Sequence, residues 1–152
     1  MEVKRLATAI IVLSIFGLVI SGYSWLHNAG FASGEFCTID ETLNCDIVNK
    51  GPYASLGGIP VAMIGVLGYA FLLIGAILKW RKPNDRQLSV FLLLASAGGL
   101  AFSAYLTGIE AFVLRVWCPL CLASQAAILL LFISAVSLFL REKEEDKGEL
   151  NG

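Results

Sequence analysis

"VWCPLCLASQAAILLLFISAVSLFL", residues 116–140, sets two cysteines three apart at the start of a run with no charged side chain before Arg141. The run from about Trp117 to Leu140 exceeds the roughly 20 residues a helix needs to cross a bilayer. Three further stretches qualify, at about Leu6–Trp25, Ile59–Trp80 and Leu88–Gly108. The composition agrees: 57% of the 152 residues are hydrophobic, 15% are charged, and the mean hydropathy is +0.77. A soluble domain of this length carries more charge, so the sequence predicts an all-α membrane protein, a four-transmembrane-helix bundle. The first span follows "MEVKR", as a signal peptide does. Its apolar run is longer than a signal core and no convincing small-residue cleavage site follows, so it is read as a helix.

Charge placement orients the bundle. Lys4, Arg5, Lys79, Arg81, Lys82, Arg86, Arg141, Lys143 and Lys147 fall on one side, which leaves only Lys50 and Arg115 on the other. The positive-inside rule then places both termini and the "KWRKPNDR" turn in the cytoplasm, and residues 26–58 outside as a long loop. Residues 1–140 form a single membrane domain, and the charged tail 141–152 is expected to be disordered. The net charge of −1 gives no sign of a nucleic-acid partner. "ASAGGLAFSA", residues 95–104, with Gly65 and Gly68, reads as a seam for close helix packing.

All four cysteines fall on the outer side: Cys37 and Cys45 in the loop, Cys118 and Cys121 at the mouth of the fourth helix. That is the oxidising side, where disulfides form and persist. Residues three apart share a helix face, so Cys118 and Cys121 can meet. Pro119 suits the first helical position, which puts Cys118 near the N-cap, where a thiolate is favoured. Asp46 is placed to cap a short turn, and the apolar residues after it suit a lid on the membrane surface.

Other readings compete with redox chemistry. Zinc is disfavoured by the Cys37-x7-Cys45 spacing, and the single histidine, His27, reads as an ordinary loop residue. Static disulfides in a non-enzymatic scaffold are the stronger rival, although a four-residue loop at a helix mouth gains little from closure. A loop pair beside a membrane-edge pair has the form of a thiol–disulfide relay. A quinone dissolved in the bilayer accepts two electrons and two protons, which matches one dithiol oxidation.

"CTIDETLNCDIVNKGPYASLGGIPVAMIG", residues 37–65, followed by "WCPLC", residues 117–121, resembles the vitamin K epoxide reductase family in its bacterial and archaeal branch. The marks are Cys45-Asp46, Pro52-Tyr53-Ala54, Gly58-Ile59-Pro60, Gly65 and Cys118-x-x-Cys121. The resemblance implies a bundle around a quinone of the ubiquinone or menaquinone type, with the outer loop capping the pocket. It implies that Cys37 exchanges with a thioredoxin-like protein, Cys45 with Cys118, and that Cys121 faces the quinone. Many prokaryotic relatives carry that thioredoxin-like domain fused, so here the partner is expected to be separate.

The chain departs from the family pattern at Gly51, where a serine is usual, and at Gln125, where the animal enzymes have a tyrosine. No asparagine stands near Val61. These differences favour a plain quinone over vitamin K epoxide. Met63, Tyr105, Phe112, Trp117 and Gln125 are candidates to line the ring pocket; for the aromatics, interfacial anchoring is the competing reading. Glu110 and Arg115 read as solvated charges at the lip. No lumenal retention signal ends the chain, so a prokaryotic plasma membrane is the expected location.

Overall fold

A computed structural model describes residues 1–152. Four long helices dominate: α1 (Glu2–Asn28), α3 (Val61–Arg81), α4 (Arg86–Gly108) and α5 (Pro119–Asn151). Each is long and apolar enough to cross a membrane, and the chain is an all-α membrane bundle. Between α1 and α3 lie a short helix, α2 (Cys45–Lys50), and a two-stranded hairpin, β1 (Ser55–Leu56) and β2 (Ile59–Pro60). Gly57 and Gly58 form its turn, both at positive φ, as a two-residue hairpin connection requires. The hairpin moves the start of α3 two residues beyond the position its hydropathy predicts.

The bundle packs α1 on α3 and α5, with α4 against α5 and, less extensively, α3. Ile10, Tyr69, Leu72, Leu92, Leu131 and Leu138 meet in its core. Outward-facing apolar residues such as Phe16, Val19, Leu67, Leu94 and Ile133 remain exposed, as a lipid-facing surface demands. Close approach uses particular glycines. A Cβ at Gly17 would collide with the Tyr69 ring, and one at Gly75 would lie 2.7 Å from Phe91. The small-residue seam has a second role, because Gly68 and Gly98 have open space beside them and help wall a cavity.

Two helix boundaries differ from the sequence reading. α4 continues as a π-helical turn over Ile109–Leu114 and ends where Arg115 turns left-handed at φ 53°. α5 runs on to Asn151 through the segment expected to be disordered. Glu, Lys and Arg are good helix formers, and the tail gains tertiary partners. Arg141 pairs with Glu2 at 2.6 Å and Arg86 with Asp146 at 3.3 Å. The fully buried Lys79 pairs with Glu142 and donates to the carbonyls of Pro83 and Asp85.

Candidate functional site

The end of the bundle opposite Lys79 carries all four cysteines. Cys37 and Cys45 form a disulfide with a Cα–Cα separation of 5.6 Å, whereas Cys118 and Cys121 are free. Backbone pairing registers the two halves. The Trp117 N–H donates to the Thr42 carbonyl at 2.8 Å, and the Asn44 N–H to the Trp117 carbonyl at 3.1 Å. Leu43 and Trp117 thus form a parallel bridge. Each is followed closely by a cysteine, and the Cys45 and Cys118 sulfurs lie 3.1 Å apart. Cys37, Cys45 and Cys118 are all buried, at 2%, 0% and 0% exposure.

Asn44, not Asp46, caps α2. Its side-chain oxygen accepts the N–H groups of Asp46 and Ile47 at 2.9 and 3.2 Å, and a cap of this kind contributes about 1 kcal/mol. Asp46 instead docks the helix. Its carboxylate lies 2.8 Å from His27 Nε2 and 3.3 Å from Lys50 Nζ. Desolvation pushes that carboxyl upward, but the hydrogen bonds and charges of Lys50 and His27 outweigh it and hold it below its usual value. His27 is therefore no ordinary loop residue: it is buried in the last turn of α1, with Asn49 Nδ2 3.5 Å from its Nδ1.

Cys118 is the N-cap of α5, with Pro119 at the first helical position, as the spacing predicts. A hydrogen bond from the Cys121 thiol lowers the Cys118 thiol below its ordinary value, against burial and the nearby Glu110 charge; backbone N–H groups of the first turn add to the lowering. A thiolate is the attacking species in disulfide exchange.

Beneath the cysteines lies a cavity of about 640 Å³, within the roughly 300–1,000 Å³ usual for small-molecule sites. Cys121 reaches its wall, with Gln125 on the same helix. Gln125 Nε2 donates to the Ser103 carbonyl at 3.0 Å, so its amide oxygen stays free to accept. Met63, Tyr105, Phe112 and Trp117 do not line the cavity. They are exposed, Phe112 to 84%: Met63, Tyr105 and Phe112 sit on helix faces turned away from the interior, and Trp117 lies in the extended bridge before α5.

The polar lining comes from residues that motif reading misses. Ser21, Ser24 and Asn28 of α1 line it, together with Asn49 of α2 and Ser124 of α5. The α1 set recurs at three and four residues, one helical face inside an apolar span, and that periodicity is the available signal. Side-chain amides at the wall thus come from Asn28, Asn49 and Gln125, while none stands near Val61. At Gly51, a Cβ would collide with the Ile47 carbonyl oxygen, so a serine there would require the end of α2 to shift. Glu110 also departs from its reading as a lip charge: it is buried at 4% exposure and lines the cavity, while Arg115 is exposed.

Fold and site together define a membrane protein suited to thiol–disulfide chemistry, with an oxidised pair touching a reduced one at the roof of an internal cavity. The model of the vitamin K epoxide reductase family matches residues 8–136, and the chain belongs to that family. Membership makes it an oxidoreductase. Among curated proteins, no sequence matches it.

Proposed function

We propose that this protein is a membrane thiol:quinone oxidoreductase that supports disulfide formation outside the cytoplasm. It oxidises a thioredoxin-like dithiol protein and reduces a ubiquinone- or menaquinone-type quinone. Its cysteine end faces outward and its basic end the cytoplasm, as the distribution of Lys and Arg indicates. The observation that carries the reading is the 3.1 Å approach of Cys45 to Cys118, directly above a cavity that Cys121 lines.

The cavity fits a quinone. Its walls are mainly apolar, with Asn28, Asn49, Ser124 and Gln125 able to meet ring oxygens. A quinone held there supplies a two-electron, two-proton acceptor, which balances one dithiol oxidised to a disulfide. The sulfurs do the rest by exchange. When Cys118 and Cys121 are joined, the Cys45 thiolate attacks Cys118 and Cys121 leaves. Cys37 then attacks Cys45, closing the Cys37–Cys45 disulfide and releasing Cys118 as a thiolate. The described state, with Cys37–Cys45 closed and Cys118 and Cys121 free, is the product of that transfer. A dithiol partner reopens Cys37–Cys45 and departs as a disulfide.

Purified protein in lipid, given a reduced thioredoxin-like protein and a panel of quinones, is expected to reduce quinone with one partner disulfide formed per quinone. Cys121→Ser is expected to abolish this. Full activity in Cys121→Ser would refute the assignment of that sulfur. A cysteine state that never responds to quinone would favour the static scaffold.

A further inference from the structure

Glu110 is the one carboxylic acid among the residues lining the cavity, with no Asp, Lys, Arg or His beside it; Tyr53, Tyr69 and Cys121 are the other titratable groups. Its carboxyl has no cationic partner, since the ion pairs of the chain all lie elsewhere. A buried carboxylate without a counter-charge is costly, and an ionisable group at membrane depth is by default a functional one. The backbone that presents it is irregular too, a π-helical turn between α4 and the left-handed Arg115, a form that recurs at functional sites.

What Glu110 touches defines its task. Its Oε2 accepts the Cys118 N–H at 3.3 Å, and it lines the same cavity as Cys121, three residues further along the chain from Cys118. These are the two sulfur-bearing residues at the roof of the cavity. Facing it from elsewhere are only the phenols of Tyr69 on α3 and Tyr53 before β1, and α1 lines the cavity with no titratable side chain.

We propose that Glu110 is the proton acceptor and donor of Cys121. The proposal rests on the thiol:quinone reading and adds the proton path to it. Exchange with Cys45 and Cys37 releases Cys118 as a thiolate, so one thiol proton remains in the pair, on Cys121. As the Cys118–Cys121 bond forms, that proton passes to the Glu110 carboxylate; the electron pair would go to a quinone held in the cavity, with that acceptor's protons supplied by water. The thiolate, thiol and carboxylate become a disulfide and a neutral acid, leaving no net charge on these three groups beside the cavity. When Cys45 later reopens the disulfide, Cys121 leaves as a thiolate and Glu110 returns the proton.

Glu110→Gln keeps an acceptor for the Cys118 N–H but cannot hold the proton. In quinone-free protein, Cys118 and Cys121 are cycled with a dithiothreitol redox buffer and followed by difference infrared spectroscopy. The C=O band of a protonated carboxyl is expected to appear on oxidation in the wild type and to be missing in Glu110→Gln. With quinone added, single-turnover reduction by pre-reduced Glu110→Gln is expected to fall about a hundredfold near neutral pH. The deficit should shrink toward alkaline pH, where solvent removes the thiol proton. An unchanged infrared band in Glu110→Gln, or a loss equal at every pH, overturns the proposal. A wild type that fails to reduce any quinone overturns the thiol:quinone reading instead, and the infrared result then decides the role of Glu110 alone.

Discussion

In the proposed relay Cys37 is the sulfur that meets the donor, yet it is 2% exposed. Exchange with a partner thiol requires its packing against Val48 and Leu120 to loosen. The mechanism gives Cys37 a task that Cys121 does not share: it resolves Cys45–Cys118 and receives the partner. Cys37→Ala is therefore expected to lose steady-state turnover with a protein dithiol. The same variant, reduced chemically beforehand, should still reduce quinone once, measured by stopped-flow absorbance, because Cys118 and Cys121 remain. At this scale the four sulfurs were legible from their sorting to one side of the membrane, and Pro119 from the spacing of Cys118 and Cys121 at the helix start. The cap of α2 was not, because Asn44 and Asp46 are both good capping residues two positions apart, and only the docking to His27 separates their roles.

Among the elements, α2 matters most because it carries Cys45 at its first position. Two contacts hold it: the Thr42–Asn44 backbone zipped to Trp117, and the Asp46–His27 contact to α1. Since His27 and Lys50 lower the Asp46 carboxyl, its contribution is complete above the ordinary carboxylate range. It is lost as pH falls through the lowered value and the carboxylate is protonated. Amide exchange over Cys45–Lys50, corrected for intrinsic rates, should accelerate across that acid step in the wild type. In Asp46→Asn it should be fast throughout and show no step. The parallel bridge and the π-helical turn leave no local sequence signature. Both are set by tertiary contacts, and Trp117, read as a pocket or interface residue, acts here through its backbone.

For the whole molecule, hydropathy located all four spans to within a few residues at most ends, since each must present about 20 apolar residues to lipid. It could not tell lipid-facing from cavity-facing positions in helices that are apolar all round. Met63, Tyr105 and Phe112 were thus placed at a pocket they turn away from, while Ser21, Ser24, Asn28 and Glu110 went unassigned or were read as exposed. The end of α5 was misread because high charge favours disorder in isolation but helix when Glu2, Lys79 and Arg86 supply partners. The proposed relay turns on one contact, Cys45 with Cys118 at 3.1 Å. In the Cys37→Ala chain, quinone is expected to drive formation of a Cys45–Cys118 disulfide that nothing resolves. After acid quenching and alkylation, peptide mapping should recover that bond with Cys121 as a free, alkylated thiol. Recovery of Cys118–Cys121 alone, with Cys45 fully alkylated, would contradict the account.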